Sequence, residues 1–185
     1  MYPFNLSPVY SEEFELETGP VEVPKSVLKF QKWKDAPLKE SFGGKDVVTL
    51  EGEGMFVETA ILHLFQNSGW QARWISTVGK ANSSPIFLNE WKDDTYNHQT
   101  HEPIEDVKVL EILEKMVQIN HDSYMGCWDI ISWDGETILF TKAIRNNKDF
   151  MRKIHLNWLS AGLSIGLKPE NFLLVQWDYN PRQLL

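Results

Sequence analysis

Gly126-Cys127-Trp128-Asp129-Ile130-Ile131-Ser132-Trp133-Asp134-Gly135-Glu136-Thr137-Ile138-Leu139-Phe140-Thr141-Lys142-Ala143-Ile144-Arg145 is the stretch whose reading decides the fold. Asp134-Gly135 between two apolar runs is the strongest short-range hairpin signal. It predicts strands over 126–133 and 136–144. Both runs are apolar on either face, so the strands belong in the middle of a sheet covered by helices. With a two-residue loop, Trp133 pairs with Glu136 and Asp129 with Phe140, while Cys127 faces Lys142. Side chains alternate along a strand, so Asp129, Phe140, Lys142 and Ile144 share one face.

Two charges interrupt this apolar pair. Aspartate is disfavoured in strands, and an unpaired buried carboxylate costs several kcal/mol. Lys142 is equally out of place. The predicted register makes them diagonal neighbours, roughly 7–8 Å apart at the backbone, within reach of the lysine stem. Each supplies what the other needs.

On the N-terminal side, Val57, Ile61, Leu64 and Phe65 recur at helical spacing and Gly69 closes the segment. Glu58 lies at the margin of that apolar stripe, between Phe65 and Leu62 (a first-turn carboxylate also favours the helix dipole). Trp70 to Val78 reads as a strand rich in aromatic and β-branched residues. Residues 79–103, with Pro85 and Pro103, read as a long polar loop or insertion. Residues 104–119 carry Val107, Leu110, Leu113 and Val117, a second amphipathic helix. Residues 149–163 form a third, with Met151, Ile154, Trp158 and Leu159 on its apolar side. Residues 171–179 close as a strand.

The fold class is therefore α/β or α+β, a central mixed sheet flanked by helices. Without the inserted helix the order is helix, three strands, helix, strand. Residues 1–46 are punctuated by Pro3, Pro8, Pro20, Pro24 and Pro37 and read as an extended arm packed along a domain of residues 47–185. Leu28, Phe30, Trp33 and Phe42 within the arm need burial.

Composition narrows the classes. The chain has 185 residues, 42% hydrophobic and 12% aromatic, enough for one well-buried domain. A net charge of −8 argues against a domain that coats nucleic acid non-specifically, without excluding a local basic groove. The one cysteine, Cys127, cannot form an intrachain disulfide and fits a reducing compartment. No apolar run is long enough to span a bilayer, and Met1-Tyr2-Pro3-Phe4 lacks the plan of a signal peptide. A cytoplasmic protein without a membrane partner is the expectation.

The layout resembles the PD-(D/E)XK nuclease superfamily, and more narrowly its VRR-NUC-like branch, over roughly residues 52–179. The resemblance implies a restriction-endonuclease-like core in which a helix carries a Glu, a strand the motif Asp, and the next strand Glu-x-Lys before a helix with a Gln. Glu58 in Phe56-Val57-Glu58 matches the helix position, and Asp129 in Gly126-Cys127-Trp128-Asp129 the strand position. Lys142 and Ile144 stand where Glu and Lys are usual, and His155 where Gln is usual.

Those departures bear on chemistry. In the superfamily the Asp and Glu hold Mg²⁺, a hard ion that takes oxygen ligands. The metal and the Lys activate water and stabilise charge on the phosphate. Lys142 puts an ammonium where a cation should bind, and Ile144 removes the activating charge. The resemblance thus implies a degenerate site of Glu58, Asp129, Lys142 and His155, with no cofactor expected. In an active enzyme with a migrated site, Glu58 and Asp129 would hold Mg²⁺, with His155 or Glu136 recruited to the vacant roles.

Arg145, Lys148, Arg152 and Lys153 form a basic cluster, with Lys148, Arg152 and His155 able to share one helical side. This is either a retained nucleic-acid backbone contact or a solvated helix face. The polar-loop pair His98 and His101 reads as ordinary loop rather than metal ligands. Gly43-Gly44-Lys45-Asp46 lacks phosphate-loop spacing. Cys127 reads as a core thiol, and Trp70, Trp74, Trp133 and Trp158 read as core. The leading expectation is a catalytically impaired nuclease-fold protein that binds nucleic acid or a partner protein. An active metal-dependent DNA endonuclease is the enzyme alternative, and a structural protein docking through its arm is the third.

Overall fold

The computed structural model describes residues 2–39, 44–77, 85–92 and 94–180. Its strands are β1 (Tyr10–Leu16), β2 (Gly19–Lys32), β3 (Val47–Leu50), β4 (Glu53–Phe56), β5 (Gln71–Ser76), β6 (Ile86–Leu88), β7 (Ile130–Trp133), β8 (Ile138–Arg145) and β9 (Phe172–Tyr179). The helices among the described residues are α1 (Val57–Gln66), α2 (Val107–Ile119) and α3 (Lys153–Ser164), besides short 3-10 turns. The nine strands make one mixed sheet in the order β4-β3-β2-β9-β8-β7-β5-β6, with β1 paired to β2. Neighbours β5, β7 and β8 run antiparallel, whereas β8 and β9 are parallel and joined through α3, as a parallel pair requires a crossover.

The central hairpin forms with a different register. Trp133 pairs with Ile138, not Glu136, and Ile131 with Phe140. The reason is local. Asp134 Oδ1 accepts the backbone N–H groups of Glu136 (3.2 Å) and Thr137 (2.8 Å), closing a wider turn, a habit of aspartate side chains. A slip of two residues preserves every face, and it moves Asp129 from a diagonal position to one opposite Lys142. The first strand is also shorter than predicted, because residues 126–129 are not part of the ladder. Gly126 has φ +80°, and any Cβ there would collide with the backbone carbonyl of Ile154.

Helix α3 starts at Lys153 rather than at residue 149. Asp149 is used otherwise, its Oδ2 accepting the Arg145 N–H at 2.9 Å. Lys148 consequently lies outside α3 and shares no helical side with Arg152 and His155. Helix α2 begins later than predicted too. Asp106 caps it by accepting the N–H groups of Lys108 and Val109, as N-cap aspartates do. Strand β5 spans less than residues 70–78, and Val78 lies outside the described residues. Within 79–103 the structure adds β6, against β5.

Residues 10–32 enter the sheet. The proline-bearing first half of β2 pairs only with β1, whereas its second half, Lys25–Phe30, pairs with β9. Proline has no N–H to donate, which confines it to such one-sided positions. Phe30 is buried and Leu28 packs against the core, while Phe42 lies outside the described residues.

The core divides across the sheet. On the α1 side, Phe56, Ile61, Phe65, Trp74, Leu139 and Val175 pack together. On the α2 and α3 side, Trp128, Ile131, Phe140, Trp158, Phe172 and Leu174 do so. Alternation along β8 then puts Ala143 with the first cluster and Lys142 with the second.

Candidate functional site

The site lies where β7 begins and its backbone departs from β8. There Asp129 turns its side chain toward β8, while its backbone carbonyl accepts the Ile75 N–H of β5 at 2.8 Å. Its Oδ2 accepts the backbone N–H of Ala143 at 2.9 Å, and its Oδ1 accepts from Lys142 Nζ at 2.7 Å. Both side chains are mostly covered, at 18% and 17% exposure. Burial opposes the Asp129 charge, but the ammonium groups of Lys142 and Lys45, with the two hydrogen bonds, outweigh it and hold the carboxyl below its ordinary value.

Glu58 arrives from the other side of the sheet, in the first turn of α1. Its carboxylate does not bond Lys142. Lys45, just before β3, reaches it instead, with Nζ paired to Glu58 Oε1 and lying 5.4 Å from the centroid of the Trp74 ring. Burial works against the Lys45 ammonium, yet Glu58, Asp129 and Asp149 more than compensate and raise its pKa. Lys45 is the functional residue that sequence reasoning missed. It belongs to the segment assessed only as a phosphate loop, and its partner lies 13 residues away in the chain, so no local spacing pairs the two.

Asp46, next in the chain, fixes that segment. Its carboxylate accepts from Arg145 Nη1 at 2.9 and 3.0 Å, from Lys148 Nζ at 3.0 Å and from Tyr179 Oη at 3.4 Å. The Arg145 guanidinium also lies over the Tyr179 and Trp177 rings, at 4.7 and 5.3 Å, within cation–π range. Two of the four predicted basic residues are thus engaged with an aspartate. Arg152 and Lys153, exposed at the start of α3, have no ion-pair partner among the described residues.

His155 is buried on the same side as Lys142. Its Nδ1 accepts the Arg152 backbone N–H at 3.2 Å, which assigns the proton of the neutral ring to Nε2. Burial, then the Lys142 charge, pushes its pKa down to about 4. Its carbonyl also receives the indole N–H of Trp128. The ring therefore caps a helix. Ile144 packs with the apolar cluster on the α2 and α3 side, and Glu136 sits in the hairpin turn, away from Asp129 in the chain register. Burial raises the Cys127 thiol far above its ordinary pKa, leaving it protonated and unreactive. His98 and His101 have separate partners, Asp94 and the Phe87 N–H.

A divalent ion does not fit these residues. It needs free carboxylate oxygens, whereas Glu58 and Asp129 each already hold a lysine ammonium. Among the described residues no group of three or more His, Cys, Asp or Glu is placed to hold a metal, and no helix is long and apolar enough to cross a membrane. No family model, curated protein or solved structure matches the chain.

Proposed function

We propose that this chain is a catalytically silent protein of PD-(D/E)XK-like architecture that works as a binding module for a protein partner. The order α1, β5, β7, β8, α3, β9, with those strands adjacent in the sheet, supports the architecture. The single observation that carries the silence is the pairing of both retained carboxylates with lysines, Asp129 with Lys142 and Glu58 with Lys45. With each carboxylate neutralised by a lysine, a metal has no vacant anionic seat, and without a metal the site lacks the means to lower the pKa of an attacking water. A protein target is favoured over nucleic acid because Asp46 engages Arg145 and Lys148 and the net charge is −8.

Incubating the full chain with supercoiled plasmid and with single-stranded DNA, each with Mg²⁺ or Mn²⁺, should give no cleavage. Metal-dependent nicking that disappears in Asp129→Asn would overturn the silent reading. A second reading, retained nucleic-acid binding, rests on the exposed Arg152 and Lys153. A gel shift that weakens steeply with salt and is lost in Arg152→Ala/Lys153→Ala would favour it over a protein target.

A further inference from the structure

Building on the protein-binding reading, we infer that β2 has an open edge at Val27–Lys29 to which an extended segment of a partner protein adds as a strand. Its alternate apolar side chains enter a cleft beside Leu28, Leu50 and Leu64, and a carboxylate between them meets Lys29. The backbone defines the gap. The Asn180 N–H bonds the Phe30 carbonyl at 2.8 Å, so the main-chain groups of Phe30 face β9. Alternation turns Ser26 and Leu28 the same way, and Lys25, Val27, Lys29 and Gln31 the other way. On that far side Lys25 accepts the Val9 N–H at 3.0 Å, and Gln31 pairs with Thr49 of β3. Between them, the N–H and C=O groups of Val27 and Lys29 meet no partner among the described residues. The stretch from Lys25 to Gln31 is roughly 20 Å of strand, room for a segment of about five residues.

The gap opens onto a cleft. Strand β3 leaves β2 through Glu51 and Gly52, with φ of +54° and +89°. The divergence leaves about 550 Å³, lined among others by Asn5, Leu28, Phe30, Leu50 and Leu64. Every second side chain of an added strand would face this lining, and the others would lie beside Val27 and Lys29. Val27 is exposed. Lys29 leans over β9 toward Asp178, 3.7 Å away, too far for a hydrogen bond. It leaves the edge clear, and its half-exposed ammonium selects an acidic residue on that face over a basic one. Other edges are guarded: β1 carries the exposed Glu13 and Glu15, and Phe87 of β6 is bonded by His101 and Glu102. An extended polypeptide offers N–H and C=O groups at the spacing this edge presents, which nucleic acid does not.

The probe is a phage-displayed library of random heptapeptides panned on the full chain, with the selected sequences then made as capped synthetic peptides. In the free protein the Val27 and Lys29 amides should exchange rapidly, while those of Leu28 and Phe30 are protected. Selected peptides should alternate apolar residues with an acidic one and should slow exchange at Val27 and Lys29. Val27→Pro keeps the β9 ladder, which does not use that N–H, and should weaken binding at least about tenfold. Leu64→Gln alters the cleft from α1 without touching β2 and should also weaken binding; it decides the matter if the proline variant does not fold. The inference is overturned if the two amides are protected in the free chain or if no peptide is selected. Unchanged binding to the variants, or protection of these amides by single-stranded DNA in place of peptide, overturns it too. The first three failures leave the silent, protein-binding reading standing, since only cleavage or a salt-sensitive gel shift removes it.

Discussion

Asp129 and Lys142 face one another across the β7–β8 pair at 2.7 Å, and the free oxygen of Asp129 takes the Ala143 N–H that would otherwise lack a ladder partner. The aspartate is both a counterion and a piece of the sheet. Removing one member of a covered ion pair strands the other, at a cost of about 3–5 kcal/mol when fully buried. At 17–18% exposure, Lys142→Ala and Asp129→Ala should each lose about 3 kcal/mol in urea denaturation. Their double variant should lose distinctly less than the sum, with a coupling of at least about 1 kcal/mol. Additive losses would mean that the two charges are independent.

His155 gives the protein a pH-dependent stability of definite sign. Its folded-state pKa is about 4, below the ordinary value near 6.5. Between these values the unfolded chain binds a proton that the folded chain refuses, so stability falls as pH drops through that window and levels off, for this group, below it. The full effect is on the order of 3 kcal/mol. Asp129 acts lower down. Its folded pKa lies beneath the usual aspartate value, so its contribution is complete above about pH 4 and is lost on further acidification. The gap between the denaturant midpoints of the wild type and His155→Gln should stay constant above about pH 6.5 and change between there and about pH 4, where the wild type alone loses the His155 contribution. Parallel curves would remove His155 from the account.

What the sequence disclosed and what it hid follow from the range of each interaction. The helices and strands of the core were readable because burial imposes periods of 3.6 and 2 on nearby residues. The proximity of Asp129 and Lys142 was readable because a hairpin is local, and the two-residue register error left the faces intact. Starts were misplaced where a side chain bonded the backbone in an unforeseen way, as Asp134 does in the turn and Asp149 does before α3. Lys45 was invisible for a different reason. Its contact with Glu58 depends on where the segment before β3 lies relative to α1, which no period encodes.

Gly126 offers the most direct test of why the strand begins at Ile130. Its positive φ is one that residues with a side chain rarely adopt, and the first turn of α3 leaves no space for a Cβ beside the Ile154 carbonyl. Gly126→Ala therefore combines backbone strain of about 1 kcal/mol or more with an overpacking cost of roughly 1–3 kcal/mol. Displacing α3 also disturbs the indole N–H bond from Trp128 to the His155 carbonyl. A loss of about 3 kcal/mol, with a changed near-ultraviolet signal from the buried Trp128, is the expected outcome. Gly135→Ala is the control, since its φ is +94° and nothing lies within 4 Å of the added carbon. It should cost only the strain. Equal losses at the two glycines would show that α3 does not press on the strand entrance, and that the position of Asp129 is set by the hairpin alone.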